Sequence, residues 1–366
     1  MKQIISIATW LMLLILAGCS DASPYAEEPS AQERTITLNL DITTRADELL
    51  PDNSEPDIIR LWIFDNNNEN LITYVVSSQN VWTPVGTDGI DIKTTLQTEI
   101  EAENIDVKQS LKIYLLLNQP YTDDGKGSTA PVDFSDVKTL DELKGKMFVL
   151  TEYKGDNKVP MTGEGTANFS SVEGNKIIFK ALINATRCVA KLGIYCTKSS
   201  EESFLAIKKI ALDQEPNKGY LLNTGANDIS YNKSRILWEG FTFVDTYLLG
   251  NDLPSDNELE NINNQFTSFS DKLEQPYLLE NVYGGENLQV DNMNFPIEDS
   301  ELRYYISLTY TIDGNSYIEK KIYLSQIKRN TLYKIFIRIK SPIETDISYV
   351  VVQPWSEFTI EVPTFD

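Results

Sequence analysis

The sequence predicts an all-β protein with two β-sandwich domains in series. Apolar residues recur with a period of two along much of the 366-residue chain, as in strands with one buried face. No window keeps a 3.6-residue apolar stripe long enough for an ordinary helix. The strand patterns fall into two groups that meet near residue 184, with long connections typical of sandwiches.

The first group begins with an alternating strand at residues 36–42. Residues 58–64 and 71–76 flank a turn-forming Asp-Asn-Asn-Asn cluster, which predicts a hairpin. Residues 111–117 are apolar almost without interruption, as in a central strand buried on both faces. A short strand is expected at 176–181, and residues 136–147 are the best candidate for a short helix.

The second group begins with a continuous alternating run from Cys188 to Cys196. The Asn-, Asp- and Gly-rich stretch 214–264 predicts long loops over the second sandwich. Asp313-Gly314 joins two alternating runs and is a strong hairpin signal. Further strands are expected at 333–339, 348–352 and 358–362.

Composition excludes several classes of function. The chain has 32 basic and 54 acidic residues, a formal charge of -22, so a nucleic-acid backbone would repel it. It contains no histidine, which removes His-based catalysis and nearly all zinc or haem ligation. Acidic pairs leave an acid-based hydrolase only as a third hypothesis, and no catalytic residue, metal or cofactor is predicted.

The N-terminus is typical of an exported lipoprotein. A lysine precedes an apolar segment too short to span a bilayer, and Leu16-Ala17-Gly18 leads to Cys19, which would carry the lipid. We therefore expect a signal peptide at 1–18 and a lipidated tether with a strand at 19–45. The two sandwiches are expected at 46–184 and 185–366.

The other two cysteines are expected to be buried core thiols. In one continuous strand, Cys188 and Cys196 would lie about 26 Å apart, beyond disulfide reach. A bridge between them would require a hairpin bend inside that strand.

The arrangement of lipid, strand and arginine is the most informative feature. Ile36, Leu38, Leu40 and Ile42 form one apolar face, and Arg45 follows. Cutting after Arg45 would remove this strand and expose a groove, with roughly 6–12 kcal/mol of apolar burial lost as an upper estimate. A strand from another copy could refill the groove, and the C-terminal alternation supplies a donor with three apolar residues: Phe358, Ile360 and Val362. The alternative is that 36–42 is an ordinary first strand.

Short patches along nearly the whole chain resemble the major fimbrillins of Bacteroidia, the FimA type and its Mfa-like relatives. The N-terminal patches are the lipobox ending at Cys19, Arg45-Ala46 after the strand, Ile58 to Phe64, and Pro160-Met161-Thr162. Later patches are Arg187 with Ala190-Lys191, Tyr277 to Asn281, Lys328-Arg329-Asn330 with Tyr333, and the Trp355 segment.

The resemblance implies two transthyretin-like sandwiches of Greek-key topology and a precursor anchored in the outer membrane by its lipid. It also implies cleavage between Arg45 and Ala46 by an Arg-specific protease, followed by strand exchange into a surface fimbrium. Its partners would be further copies, tip and anchor subunits, and an unidentified surface ligand. Arg34 is a competing cleavage site, but cutting there would leave the strand in place.

Stalk subunit is the first functional hypothesis, with tip and anchor subunits as alternatives. A different class of function is a monomeric, lipid-anchored module that binds glycan or protein through aromatic side chains. Trp62 is expected in the core, whereas Trp82 and Trp238 are expected to be exposed.

Overall fold

The computed structural model describes residues 35–354, apart from 46–54, 68, 79, 86–90, 102–109, 124–127, 151–157, 175, 200, 202, 223–230, 246–260, 263–275, 284–288, 291–296, 298, 315 and 341–344.

The described residues form strands and little helix, which confirms the all-β prediction. In the first half the strands are β1 (Thr35–Arg45), β2 (Ile59–Asp65), β3 (Leu71–Ser77), β4 (Thr83–Val85), β5 (Asp91–Glu101), β6 (Leu111–Leu117), β7 (Tyr121–Asp123), β8 (Thr129–Pro131), β9 (Met147–Phe148), β10 (Met161–Glu173) and β11 (Lys176–Arg187). In the second half they are β12 (Ala190–Lys198), β13 (Leu205–Pro216), β14 (Gly219–Tyr220), β15 (Tyr231–Phe243), β16 (Tyr277–Leu278), β17 (Gln289–Val290), β18 (Tyr305–Ile312), β19 (Ile318–Tyr323), β20 (Thr331–Ile339) and β21 (Thr345–Pro354).

The first sandwich is an eight-stranded sheet in the order β3-β2-β6-β10-β11-β1-β5-β4. Apolar side chains from β1 and β11 pack in one core with those of β2 and β6, so the two halves of the sheet face each other. The period of two explains this packing, because alternate residues of each strand point into the core. The predicted hairpin of β2 and β3 is present, and β6 is buried on both faces as expected.

The second sandwich has a four-stranded sheet, β16-β12-β20-β21, and a five-stranded sheet, β15-β13-β18-β19-β17. Its core lies between them and contains alternate residues of β12, β13, β18 and β20. The predicted hairpin of β18 and β19 turns at Asp313 and Gly314, whose φ angles of 52° and 75° explain the Asp-Gly pair.

A third apolar cluster joins the two sandwiches. Trp62 and Phe64 on the outer face of β2 pack with Cys188 and Leu221 from the second half of the chain. The helix α1 (Leu140–Lys144) adds Leu140 and Leu143 to this cluster. It is shorter than the predicted 136–147 helix and begins at a capping box formed by Thr139 and Glu142.

The structure changes the expected organisation in two places. β11 continues in the first sheet to Arg187, so the boundary expected between residues 184 and 185 falls inside this strand. The stretch 214–264 was predicted as loops, but it contains β15, which pairs with β13 through several register shifts. Those shifts break the period-two pattern that would have revealed the strand.

Candidate functional site

Strand β1 lies inside the first sandwich, between two other strands. It pairs in parallel with β11, from Thr35 opposite Lys176 to Thr44 opposite Ala185. On its other side it runs antiparallel to β5, with Leu40 opposite Leu96. Removing β1 would therefore leave two unpaired strand edges facing each other across a gap one strand wide.

The four predicted core residues of β1 share one face and are fully buried. Ile36, Leu38, Leu40 and Ile42 each have 0% exposure. They belong to the core of the first sandwich, together with residues such as Leu61, Ile113, Phe179 and Ile183. Because these four side chains are part of the core, the gap left by β1 would be an apolar groove with a pocket at every second residue.

The opposite face of β1 is more weakly held. The Thr95 hydroxyl donates to a carboxylate oxygen of Asp41 at 2.9 Å, at an exposed position. Thr37 is 2% exposed, and its hydroxyl oxygen has no hydrogen-bond partner among the described residues. A buried hydroxyl without a partner destabilises the folded state by roughly 1–3 kcal/mol. This face thus reduces the net stability of β1 in its position.

Arg45 is the last residue of β1. Pairing with β11 has ended at Thr44, whereas Arg45 still lies opposite Asp91 of β5. A cut after Arg45 would therefore separate the whole of β1 from the rest of the fold. Cys19, Arg34 and Ala46 lie outside the described residues.

The C-terminal segment proposed as a donor also lies outside the described residues. Phe358, Ile360 and Val362 follow β21, which ends at Pro354. β21 is the edge strand of the four-stranded sheet and pairs antiparallel with β20. The last described strand is therefore at a sheet edge, from which the chain continues for twelve residues.

The three tryptophans that the structure describes are buried and do not form an exposed binding surface. Trp62 is in the core as expected, stacked on Tyr74 with ring centroids 5.0 Å apart. Trp82 and Trp238 were predicted to be exposed, and this was wrong, since they are 5% and 4% exposed. Trp82 packs into the first core and Trp238 into the second. Both residues are adjacent to polar residues in the sequence, but their indole rings are part of the apolar interior.

The two remaining cysteines are buried thiols that are not joined by a disulfide, as expected. They do not share one strand, because Cys188 precedes β12 and packs at the junction, whereas Cys196 lies in the second core. Burial raises the pKa of both thiols, and that of Cys196 to about 12. Neither has the low pKa of a reactive cysteine.

Several of the family-like patches meet at the junction of the two sandwiches. Arg329 donates to Glu280 and to the carbonyls of Tyr220 and Leu221. The backbone N–H of Cys188 donates to the carbonyl of Pro160 at 2.9 Å. These patches are far apart in sequence, so their shared location gives them a common structural role in holding the domains together.

The part of the chain that the structure describes contains no group of three or more acidic or cysteine side chains placed to hold a metal ion. Asn66 and Asn67 form a turn, in which an Asp65 carboxylate oxygen accepts from the N–H of Asn67 at 2.7 Å. Over the same residues, no helix has the length and apolar composition needed to span a membrane.

Comparison with known proteins identifies the fold. No family profile matches the chain, and no curated protein matches its sequence. Among solved structures, a fimbrial assembly protein from Parabacteroides distasonis has a TM-score of 0.54 at 12% identity, covering 88% of this chain and 97% of that one. The tip fimbrial protein Mfa3 from Porphyromonas gingivalis, with a C-terminal truncation, has a TM-score of 0.52 at 12% identity, covering 86% and 99%. The chain therefore has the all-β sandwich fold of these bacterial fimbrial proteins, in agreement with the resemblance seen in its sequence.

Proposed function

We propose that this chain is a fimbrial subunit of the FimA/Mfa type, the stalk subunit, which polymerises by strand exchange on the cell surface. The observation that carries the proposal is the position of β1, which is inserted between β5 and β11 and ends at Arg45. A strand in this position fills the core. Its covalent link to the strands that follow in the chain is at its C-terminal end, after Arg45.

Removal of β1 creates the driving force for assembly. Burial of its four apolar side chains contributes on the order of 6–12 kcal/mol, and its loss would expose both neighbouring strand edges. The cleaved subunit would be unstable until another strand refills the groove. A strand from a second copy gives a head-to-tail contact that does not close, and such a contact propagates as a fibre.

The donor in this scheme is the C-terminal segment with Phe358, Ile360 and Val362. Its alternation matches the spacing of the pockets that Ile36, Leu38, Leu40 and Ile42 would vacate. Three apolar side chains fill three of four positions. The support for this assignment is the match in period and the location of the segment beyond a sheet-edge strand.

Processing would follow from the same geometry. Lipidation at Cys19 would hold the precursor at the outer membrane, and an Arg-specific protease would cut between Arg45 and Ala46. Cutting at Arg34 instead would leave β1 paired on both sides, because the strand begins at Thr35. Only the Arg45 cut couples release from the lipid to opening of the groove.

The test is limited trypsin digestion of the unlipidated precursor, residues 20–366, followed by mass spectrometry and electron microscopy. We expect a product beginning at Ala46 and filaments or SDS-resistant ladders. Arg45→Ala should stay monomeric, whereas Arg34→Ala, the matched control, should polymerise like the unaltered chain. A trimmed product that stays monomeric at all concentrations would contradict a stalk role and favour a tip subunit or binding module.

A further inference from the structure

The outer face of the five-stranded sheet carries a polar cavity with a volume of about 310 Å³. It lies in the second sandwich and is formed by β13, β18 and β19. The size is at the lower end of the range found for small-molecule sites. It is separate from the β1 groove, which is in the first sandwich.

The strand register explains why this face is concave. In the middle row, Ala211 of β13 lies opposite Ser307 of β18, which lies opposite Lys321 of β19. The two small side chains form the floor. The neighbouring rows place longer side chains on either side, with Lys209 and Glu319 in one row and Tyr305 in the other.

Part of the lining is held in place before any ligand arrives. The Ser307 hydroxyl donates to a carboxylate oxygen of Asp213 at 2.6 Å, and the Ser234 hydroxyl donates to the other oxygen. The Lys321 ammonium lies 5.0 Å from the centre of the Tyr305 ring. These contacts fix the floor and one wall, so binding would order few side chains.

Other lining groups are available to a ligand. Within the described residues, the side chains of Lys209, Thr309 and Glu319 make no hydrogen bond to the protein. They offer an ammonium donor, a hydroxyl that donates and accepts, and a carboxylate acceptor. Donors and acceptors thus alternate around a depression only a few residues wide.

The charged side chains of the lining disfavour the binding of a charged ligand. Two lysines, Lys209 and Lys321, balance Asp213 and Glu319, so the cavity has no net formal charge in a chain of -22. An anion would meet two carboxylates here and the acidic surface beyond them. A ligand that both donates and accepts hydrogen bonds without carrying charge fits this lining best.

We propose that this cavity binds a neutral saccharide. The hydroxyl groups of a sugar would exchange hydrogen bonds with Lys209, Thr309 and Glu319, and its apolar ring face would lie against the edge of Tyr305. The site would give the subunit a glycan-recognition surface of its own. Saccharide binding at this site requires neither cleavage nor polymerisation, so its test is independent of strand exchange.

The test uses the uncleaved, unlipidated precursor on an array of neutral and charged oligosaccharides, followed by titration calorimetry with the best neutral oligosaccharide. Lys209→Ala removes a hydrogen-bond donor, and Thr309→Phe fills the cavity. Each substitution should weaken binding about tenfold or more. The matched control is Lys208→Ala, because Lys208 is an exposed neighbour outside the cavity that packs on Tyr317. Circular dichroism confirms that each variant is folded.

Three results would overturn the proposal. The first is that the array retains no neutral oligosaccharide, and the second is that it retains only charged ones. The third is that the Lys209→Ala and Thr309→Phe variants bind the oligosaccharide as tightly as the Lys208→Ala variant. Glu319→Gln provides a fourth variant if Thr309→Phe fails to fold, and it too should weaken binding by about tenfold.

Discussion

Arg329 contacts Glu280 with two guanidinium nitrogens, Nε and Nη2, which lie 3.0 and 2.9 Å from the same carboxylate oxygen, Oε2. The same side chain donates to the carbonyls of Leu221, at 2.8 Å, and Tyr220, at 3.2 Å. Tyr220 lies in β14, which pairs with β9 from the first half of the chain. One arginine thus ties three segments together where the two sandwiches meet.

Arg329→Leu should lower the free energy of unfolding by about 3 kcal/mol, because it removes the cation paired with a largely buried carboxylate and one hydrogen bond from each of two carbonyls. Urea denaturation measures the change. Lys176→Ala is the control, since its ion pair with Glu99 is about half exposed and should contribute less than about 1 kcal/mol. Equal losses in the two variants would contradict a structural role for the Arg329 contacts.

Thr37→Val should stabilise the precursor by about 1 kcal/mol, because it replaces by a methyl group a buried hydroxyl that has no partner within the described part of the chain. It should also slow the release of β1 after cleavage. Thr94→Val is the matched control on β5. That hydroxyl donates to the Val81 carbonyl at 2.8 Å, so its loss should destabilise the protein by about 1 kcal/mol. Thermal unfolding measures whether each variant is more or less stable than the unaltered protein. Destabilisation by Thr37→Val would contradict the prediction for that residue.

Deletion of residues 357–366 should abolish elongation while leaving the fold of the precursor unchanged. A finer version compares Ile360→Asp with Thr359→Asp. In the proposed donor, residue 360 enters a pocket and residue 359 points away, so only Ile360→Asp should block filaments. Filament length after trypsin cleavage is the readout. If the deletion variant forms filaments as long as those of the full chain, the donor lies elsewhere.

Cys188 and Cys196 should not react with a thiol reagent in the native protein at pH 8, and both should react after denaturation. Burial raises the pKa of Cys196 from 9.0 to about 12. The unfolded thiol therefore ionises at a lower pH than the folded one. The contribution of the buried Cys196 thiol to the free energy of unfolding is therefore fully present below about pH 9. It falls by about 1.4 kcal/mol per pH unit as the pH rises toward 12. Cys196→Ala should show a smaller loss over this range, and identical pH profiles would contradict the assignment.

The local strand pattern could be predicted from the sequence because alternation reports burial directly. Ile36 to Ile42 shows this, since every apolar residue of that run is in the core. The partners of the strand could not be predicted. β5 and β11 lie far along the chain, and nothing within residues 36–42 specifies pairing in parallel on one side and antiparallel on the other.

Other features depended on tertiary context. Trp82 and Trp238 are adjacent to polar sequence, yet the fold places both rings in its cores. The cavity on the second sandwich was missed because its lining comes from three strands, each of which shows only ordinary polar residues on its outer face. Tyr305, Ser307 and Thr309 are one such set. The register of these strands brings the small and the charged residues together.

Strand exchange is tested most directly by locking β1 in its position. Asn39 of β1 lies opposite Gln97 of β5 in the antiparallel pair, at a Cα separation of about 4.5–5.5 Å that suits a disulfide. The variant Asn39→Cys/Gln97→Cys should, when oxidised, be cleaved by trypsin after Arg45 and yet retain β1 and remain monomeric. Adding reductant should release the 20–45 fragment and start filament growth.

The single variant Asn39→Cys controls for the substitution and should form filaments with or without reductant. Non-reducing mass spectrometry shows whether the lock is intact, and electron microscopy counts filaments. Reductant-dependent filaments are the predicted result. Filaments that form equally well from the oxidised, cleaved double variant, with β1 still attached, would contradict strand exchange.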